Sequence, residues 1–325
     1  MNKMSKWEIP PKTGHMERPS EIYYQTMNGA QVKKRLQQND LIIIPIGSSE
    51  NHGPNACAGE DTFLVTRIAE QVAKATGCTV AEPIWYGSHP YHHMGMPGTI
   101  MVPEEDLAAY LRAVIAGFWN TGFRKQILLN GHGQDYVIPV AIHQFAKKYQ
   151  VPAIIVNVNW WFVIPEHLRD KAHGGPFDTP FIHADECETS YSMALFPEMI
   201  DQSKAVATKP LKIFPDGHIN KSGSAYEELP IDFWLQVGAS AIEVVSTPEG
   251  VVGDATRADP EKAKPGLVAI MDYLEKLITD IMSMYPAGQL PPIQATTMRE
   301  RKTIEEVIKG PLNGGRHIYT IAYPT

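Results

Sequence analysis

Short apolar runs alternate with longer stretches of helical periodicity along most of the chain. Residues 41–46 form a continuous, mostly β-branched run closed by Gly47, which is typical of a strand buried on both faces of a parallel sheet. From Asp61 to Gly77 the apolar residues recur at helical spacing, so this stretch predicts a helix that ends at the glycine. The same alternation predicts strands at 79–81, 126–129 and 153–158, and helices at 104–120 and 137–149.

The remaining segments are less regular. They predict a helix over 20–38, a helix over 188–195, a strand over 242–245, and a helix over 260–284 before a proline-rich tail. Strict alternation of strand and helix predicts an α/β fold with a mostly parallel sheet, in which functional side chains gather at the carboxyl ends of the strands. We expect residues 1–40 to form an N-terminal extension and residues 41–325 to form a single α/β domain.

Composition argues against several classes of partner. With Lys+Arg 29 against Asp+Glu 36 the net charge is −7, and no block of basic residues is present, so nucleic acid is not an expected partner. No apolar run approaches the roughly 20 residues of a membrane span, and no secretory signal is visible. The cysteines Cys57, Cys78 and Cys187 show no C-x-x-C spacing, so we expect a protein of the reducing cytoplasm.

The loop after the first predicted strand carries potential metal ligands. Glu50 and His52 are two residues apart, so their side chains point to the same side of an extended segment, and Asp61 opens the next helix. A carboxylate and an imidazole that converge with a second carboxylate suit Zn²⁺ or Mn²⁺. The alternative is a polar loop in which Glu50 and Asp61 cap helix N-termini.

Two further polar clusters lie at predicted strand-to-helix junctions. His132 lies between two glycines directly after the strand at 126–129, where a histidine can equally be structural. His183 and Glu188 flank a predicted helix start, at which the helix dipole alone would favour Glu186 and Glu188. Because the strand ends of one parallel sheet face the same side, we expect the three clusters to converge on one site.

Ordered motifs along residues 41–264 resemble those of the creatininase family. They are G-S-S-E-N-H-G at 47–53 with the following Asp61, M-P-G-T at 96–99, N-G-H-G at 130–133, H-A-D-E-C-E-T-S at 183–190 and G-V-V-G-D-A-T at 250–256. The resemblance implies a layered α/β/α domain, a homo-oligomer, a small-molecule substrate and a dinuclear Zn²⁺ or Mn²⁺ centre. By position it implies four metal ligands, with Asp61 as the bridge: Glu50, His52, Asp61 and His132. We expect Glu188 to supply the remaining carboxylate; the alternative is that Gln134 completes the second metal site.

Departures from the family motifs bear on the site and the substrate. Creatininase carries a glutamate at the position of Gln134 and, at that of Thr179, a tryptophan that closes over creatinine. Trp160 corresponds to a second tryptophan and forms either a pocket wall or part of the core. We predict His183 as the proton shuttle, Gln134 as a second catalytic residue, and His93 and Trp160 as substrate-binding residues.

The polar residues of 89–93 suit ring hydroxyls better than a flat lactam. The chain length and residues 7–16 resemble the branch of the family that hydrolyses 3-dehydro-scyllo-inosose. We therefore predict a metal-dependent hydrolase of inositol catabolism that opens this cyclic diketone by hydrolytic C–C cleavage. Hydrolysis of a cyclic amide, as in creatinine, is the first alternative, and a metal-binding protein without catalytic activity is the second.

Overall fold

Four parallel strands form one sheet in the computed structural model, which describes residues 21–89, 93–209 and 247–321. The strand order is β2-β1-β3-β4, with β1 Leu41–Ile46, β2 Thr79–Val80, β3 Lys125–Asn130 and β4 Ile154–Asn159. In the central pair, Leu41 lies opposite Lys125 and Ile46 opposite Asn130, so β1 and β3 end at the same level. The predicted mostly parallel α/β fold is confirmed.

Helices cover both faces of the sheet, and those predicted from the spacing of apolar residues after β1 are confirmed. The α-helices of the described residues are α1 Gly29–Gln38, α2 Glu60–Thr76, α3 Glu104–Thr121, α4 Val137–Tyr149, α5 Trp160–Val163, α6 Glu186–Leu195, α7 Pro260–Met284 and α8 Arg301–Lys309. Within the same residues, none is both long and apolar enough to cross a membrane.

The layering explains why β1 is apolar throughout. Leu41 and Ile43 pack on one side of the sheet with residues of α2 and α7, whereas Ile42 and Ile44 pack on the other side with residues of α3 and α4. All six residues of β1 are buried, because helices cover both faces of the strand. The predicted α/β/α layering is therefore present.

The helix predicted over 20–38 is wrong in its N-terminal half. Helix α1 begins at Gly29, because the Asn28 side chain accepts a hydrogen bond from the Gln31 N–H while the Gln31 side chain accepts one from the Asn28 N–H. This capping box fixes the start of the helix. Tyr23 instead lies buried beside β2, where it forms a bridge with Val80.

The C-terminal tail contains a helix where the sequence pattern predicts proline-rich coil. Ile304 and Val307 of α8 are buried and lie at helical spacing, but the helix has only nine residues and stands between proline-containing segments. The strand predicted over 242–245 lies outside the described residues. The domain boundary at residue 40 stays a prediction.

Candidate metal centre

Five buried side chains predicted as metal ligands meet at the carboxyl end of the sheet. Glu50 and His52 lie in the loop after β1, Asp61 is in the first turn of α2, His132 follows β3, and Glu188 is in the first turn of α6. Each is at most 7% exposed. The predicted convergence of the strand-end loops is therefore observed.

Asp61 lies between two imidazoles. Its Oδ1 is 3.3 Å from Nε2 of His52, and its Oδ2 is 3.1 Å from Nδ1 of His132. Nδ1 of His132 is also 2.8 Å from Oε2 of Glu50, and Nε2 of His52 is 3.8 Å from Oε2 of Glu188. The five side chains thus form two groups that share the Asp61 carboxylate.

Backbone carbonyls orient both imidazoles. Nδ1 of His52 lies 3.2 Å from the carbonyl oxygen of Glu50, and Nε2 of His132 lies 2.9 Å from that of Ser88. With these nitrogens as donors, Nε2 of His52 and Nδ1 of His132 are left facing the carboxylates. Histidine ligands of metals are usually held in this way by a hydrogen bond at the other ring nitrogen.

Two unusual backbone positions bring the loops together. A Cβ at Gly131 would lie 2.4 Å from the carbonyl oxygen of Asp61, so only glycine lets the loop after β3 approach α2 this closely. Ala184 has a φ of 49°, in the left-handed region, and its N–H donates to Oε2 of Glu188 at 2.5 Å. The strained residue therefore aims a donor at a predicted ligand.

His183 and His93 line the same centre. Nε2 of His183 lies 2.8 Å from the carbonyl oxygen of Asn51, and the His183 ring centroid is 4.6 Å from those of His52 and His93. Burial, reinforced by His52 and His93, lowers the pKa of His183 to about 3, so this ring is neutral at neutral pH. His93 pairs through Nδ1 with a carboxylate oxygen of Glu50.

The electrostatics of the centre favour cations. Burial opposes the charged form of Glu50, yet the surrounding imidazoles hold its pKa well below the usual range, and the pKa of Asp61 is lowered in the same way. For His132, burial lowers the pKa, but the carboxylates of Glu50 and Asp61 outweigh it and raise the pKa to about 10. The site therefore stabilises positive charge at the point where His132 faces the carboxylates.

The donor set also fits divalent metal ions. Both carboxylate oxygens of Glu50 and Nε2 of His52 are buried and face the charged groups of the cluster, but they make no hydrogen bond of regular geometry with the described residues. Buried polar atoms are rarely left in this state, so these atoms point to a ligand. Mixed carboxylate and imidazole ligands are those that Zn²⁺ and related ions accept.

Gln134, a predicted catalytic residue, makes its contacts with the protein. Its Oε1 accepts from the Ser88 N–H at 3.0 Å, and its Nε2 donates to the Gly47 carbonyl at 3.0 Å and to Oδ1 of Asn130 at 3.3 Å. The side chain is fully buried. Gln134 thus joins three loops at the carboxyl end of the sheet.

Trp160 is fully buried at the start of α5. Its ring lies 4.8 Å from that of Tyr191 and 5.9 Å from that of Phe181, within the core on the α2 and α7 side of the sheet. Of the two alternatives for Trp160, this packing is the one expected of a core residue. Its predicted role as a pocket wall stays a prediction.

The alternative in which Asp61 caps a helix does not describe the observed contacts, whereas Glu186 and Glu188 do lie in the first turn of α6, where the helix dipole favours them. The N-cap of α2 is Gly59, which has no side-chain cap, and Asp61 faces the histidines instead. Glu186 accepts from the N–H groups of Asp178 and Thr179. Its role is to hold the segment before α6.

At this centre Asp185 was not singled out from the sequence, and His89 was predicted only as part of the polar loop 89–93 that suits ring hydroxyls. Asp185 caps α6 by accepting from the Glu188 N–H at 3.0 Å, and the D-x-x-E spacing of these two residues is a signal that could have identified it. His89 is buried with its ring centroid 4.5 Å from that of His132. The sequence places His89 only in a polar loop, without a specific partner.

Similarity to known proteins agrees with these features. A family model described as creatininase, creatinine amidohydrolase, matches residues 25–278. The 3-dehydro-scyllo-inosose hydrolase of Thermotoga maritima is 61% identical over 306 residues, 94% of this chain and 98% of that protein. The creatinine amidohydrolase of Pseudomonas putida is 23% identical over 203 residues, 59% of this chain and 74% of that protein. A manganese form of creatininase has a similar fold, with a TM-score of 0.62 and 20% identity over 82% of this chain and 99% of that one.

Proposed function

The chain belongs to the creatininase family of metal-dependent hydrolases, and from this membership we propose that its substrate is 3-dehydro-scyllo-inosose. The observation that carries the proposal is the 61% identity to a hydrolase of that name, which extends over nearly the whole of both chains. The similarity to a creatinine amidohydrolase is much weaker and covers 59% of this chain. Ring opening of a cyclic diketone is therefore the better supported reaction.

In the proposed reaction, water adds to one carbonyl of the cyclic diketone and the adjacent ring C–C bond breaks. The departing carbon becomes an enolate that the second carbonyl stabilises, and it then takes up a proton. The product is an open-chain keto-hexonate, and the net change is the gain of one water. The protein must therefore move a proton from water to carbon.

His183 suits this proton transfer. With Nε2 donating to the Asn51 carbonyl, its Nδ1 carries the ring's lone pair and faces the centre as a proton acceptor. Nδ1 lies 3.8 Å from Oε2 of Glu188, at the edge of the candidate metal centre. We propose that His183 takes the proton of water and returns it to the leaving carbon.

We further propose that the centre holds two divalent cations, Zn²⁺ or Mn²⁺. Glu50 and His132 would hold one, His52 and Glu188 would hold the other, and Asp61 would bridge them because its two oxygens face different imidazoles. Such a pair, when bound, lowers the pKa of water and polarises a carbonyl. The chain itself supplies Glu50 and Asp61 as carboxylates whose pKa values are held low by the surrounding imidazoles.

Two residues are proposed to act around this centre. Gln134 is a positioning residue, since all of its hydrogen bonds hold neighbouring loops in place. His93 lies beside His183 with its side chain 6% exposed, and we propose that it contacts a substrate hydroxyl. A buried polar partner for a hydroxyl discriminates against analogues that lack it.

Side-by-side kinetics with purified protein test the substrate. We expect 3-dehydro-scyllo-inosose to gain one water, detected by mass spectrometry, and one atom of ¹⁸O from labelled water in the new carboxylate. Creatinine, offered under the same conditions, is expected to have a much lower kcat/KM. A higher kcat/KM for creatinine would favour the cyclic-amide alternative, and turnover of neither compound would favour a binding protein.

Location and assembly are further proposals. All three cysteines, Cys57, Cys78 and Cys187, are free, which supports a reducing compartment such as the cytoplasm. Family membership supports a homo-oligomer. Light scattering on the purified protein measures the assembly directly, and a monomer at working concentration would contradict it.

A further inference from the structure

His89 is a buried histidine beside the candidate metal centre, and its ring has been given no role so far. The residue is 2% exposed. Neither ring nitrogen makes a hydrogen bond of regular geometry within the described residues, and Nδ1 lies 3.7 Å from Oε1 of Glu50. Buried polar groups are seldom left unpaired, so these ring nitrogens point to a bound ion or molecule as their partner.

The backbone before His89 is clamped onto the loop after β3. The Ser88 N–H donates to Oε1 of Gln134 at 3.0 Å, and the Ser88 carbonyl accepts from Nε2 of His132 at 2.9 Å. Both sides of Ser88 are therefore tied to residues of one loop. This clamp fixes where the His89 ring enters the centre.

The spacing of the donor atoms suits a shared ion. Ligand atoms of Glu50, His89 and His132 all lie within 4.8 Å of one another. Zinc ligands stand about 2 Å from the ion, so two ligands of one ion are separated by about 4 Å or less. The three side chains are close to the arrangement that one cation requires.

We propose that His89 is a ligand of the cation held by Glu50 and His132, and that it makes this position prefer Zn²⁺ to Mn²⁺. The inference rests on the two-cation site proposed above. Gln134 stands where creatininase has a carboxylate, and its amide is engaged with neighbouring loops, so it adds no oxygen ligand. An additional imidazole gives the position more nitrogen character, which suits Zn²⁺ better than Mn²⁺.

The variant His89→Asn distinguishes a role of His89 as a metal ligand from a role in substrate binding. The asparagine amide can still hydrogen-bond a substrate hydroxyl, but it is a poor ligand for Zn²⁺. Protein loaded with Zn²⁺ or Mn²⁺ is titrated with a chromophoric chelator, which yields a dissociation constant for each ion. We expect one Zn²⁺ to bind at least about tenfold more weakly, with the other Zn²⁺ unchanged and a smaller effect on Mn²⁺.

Two matched variants accompany it. His143→Asn removes an exposed imidazole from α4 and should leave both dissociation constants unchanged. His89→Asp returns an oxygen ligand and should recover most of the lost affinity, now with Mn²⁺ favoured. Unchanged Zn²⁺ affinity in His89→Asn would overturn the proposal, and an increased KM in the same variant would assign His89 to the substrate.

A crystal of the unaltered, zinc-loaded protein provides a test that needs no variant. Anomalous scattering should place a zinc ion about 2.0–2.1 Å from a ring nitrogen of His89. Zinc held only by other residues would overturn this inference and leave the proposed function standing. Failure of the zinc-loaded protein to open the diketo-inositol would instead contradict the proposed function.

Discussion

Asp61 occupies its position because two loops hold the first turn of α2. The Ser48 hydroxyl donates to Oδ2 of Asp61, and Gly131 allows the loop after β3 to lie against the Asp61 carbonyl. A side chain at residue 131 would push this loop away and separate His132 from Asp61. The shared carboxylate therefore depends on backbone packing as much as on its own charge.

The position of Asp61 between two imidazoles predicts that variants of Asp61 and His52 lose different numbers of metal ions. Asp61→Ala removes the carboxylate that faces both imidazoles, so we expect it to lose both metal ions, whereas His52→Ala should retain one. Elemental analysis after dialysis measures metal per chain. Equal losses in the two variants would argue against a bridging role for Asp61.

For His183 we expect a loss of turnover without a loss of metal. Its ring lies beside the centre, and Nε2 is already engaged with the Asn51 carbonyl. His183→Ala should therefore keep the metal content of the unaltered protein while kcat falls by about 10²–10⁴. Metal analysis and kinetics on the same preparation distinguish proton transfer from metal binding, since departure of a metal ion would identify His183 as a ligand.

Much of the residue-level site follows from sequence, because ligands at strand ends of a parallel sheet must converge. Glu50 and His132 follow directly after β1 and β3, whose ends lie side by side. His89 does not follow from the pattern, since among the described residues the pairing given beside it is a single bridge between Gly87 and Met101. Its place is set by the Ser88 clamp, a tertiary contact that no local spacing reveals.

At the scale of elements, the burial pattern decides which segments the sequence predicts well. Strand β1 and helix α7 have apolar positions that face a broad core, and their bounds are predicted from periodicity. Helix α8 has two buried residues and was missed. The start of α1 depends on the Asn28 and Gln31 capping box, a short signal that outweighs the weaker periodicity before it.

A buried ion pair ties several elements together at the amino end of the sheet. Nζ of Lys125, the first residue of β3, donates to Oδ1 of Asp40, which precedes β1. Oδ2 of Asp40 accepts from the Gly288 N–H at 3.1 Å, in the segment after α7. Both charged residues are almost fully buried. Breaking the pair would therefore leave a carboxylate in the core without its cation.

Lys125→Met is accordingly expected to lower the free energy of unfolding by about 3–5 kcal/mol. Chemical denaturation measures the change, and the double variant with Asp40→Leu should recover much of it by removing the unpaired charge. Lys276→Met on the exposed face of α7 is the matched control and should have little effect. Equal stability of Lys125→Met and the control would contradict this account of the ion pair.

At the scale of the whole molecule, the sheet gathers negative charge at one end of the core. Glu50, Glu60 and Asp61 are buried there, and Glu188, which is far from them in the sequence, joins them. Burial and the neighbouring carboxylates raise the pKa of Glu188, and burial likewise raises that of Glu60. Such a group of buried carboxyl groups needs bound protons, protonated imidazoles or metal cations to balance its charge.

Removal of metal ions should therefore lower the stability of the entire chain. Each ion that binds only the folded state contributes about 2.7 kcal/mol when its free concentration is 100-fold above its dissociation constant. We expect a chelator to lower Tm by on the order of 5–10 °C, and added Zn²⁺ or Mn²⁺ to restore it. Calorimetry measures the shift, with Asp61→Ala as the control that should not respond to the chelator. An identical Tm with and without chelator in the unaltered protein would mean that the buried carboxylates are balanced by the chain alone.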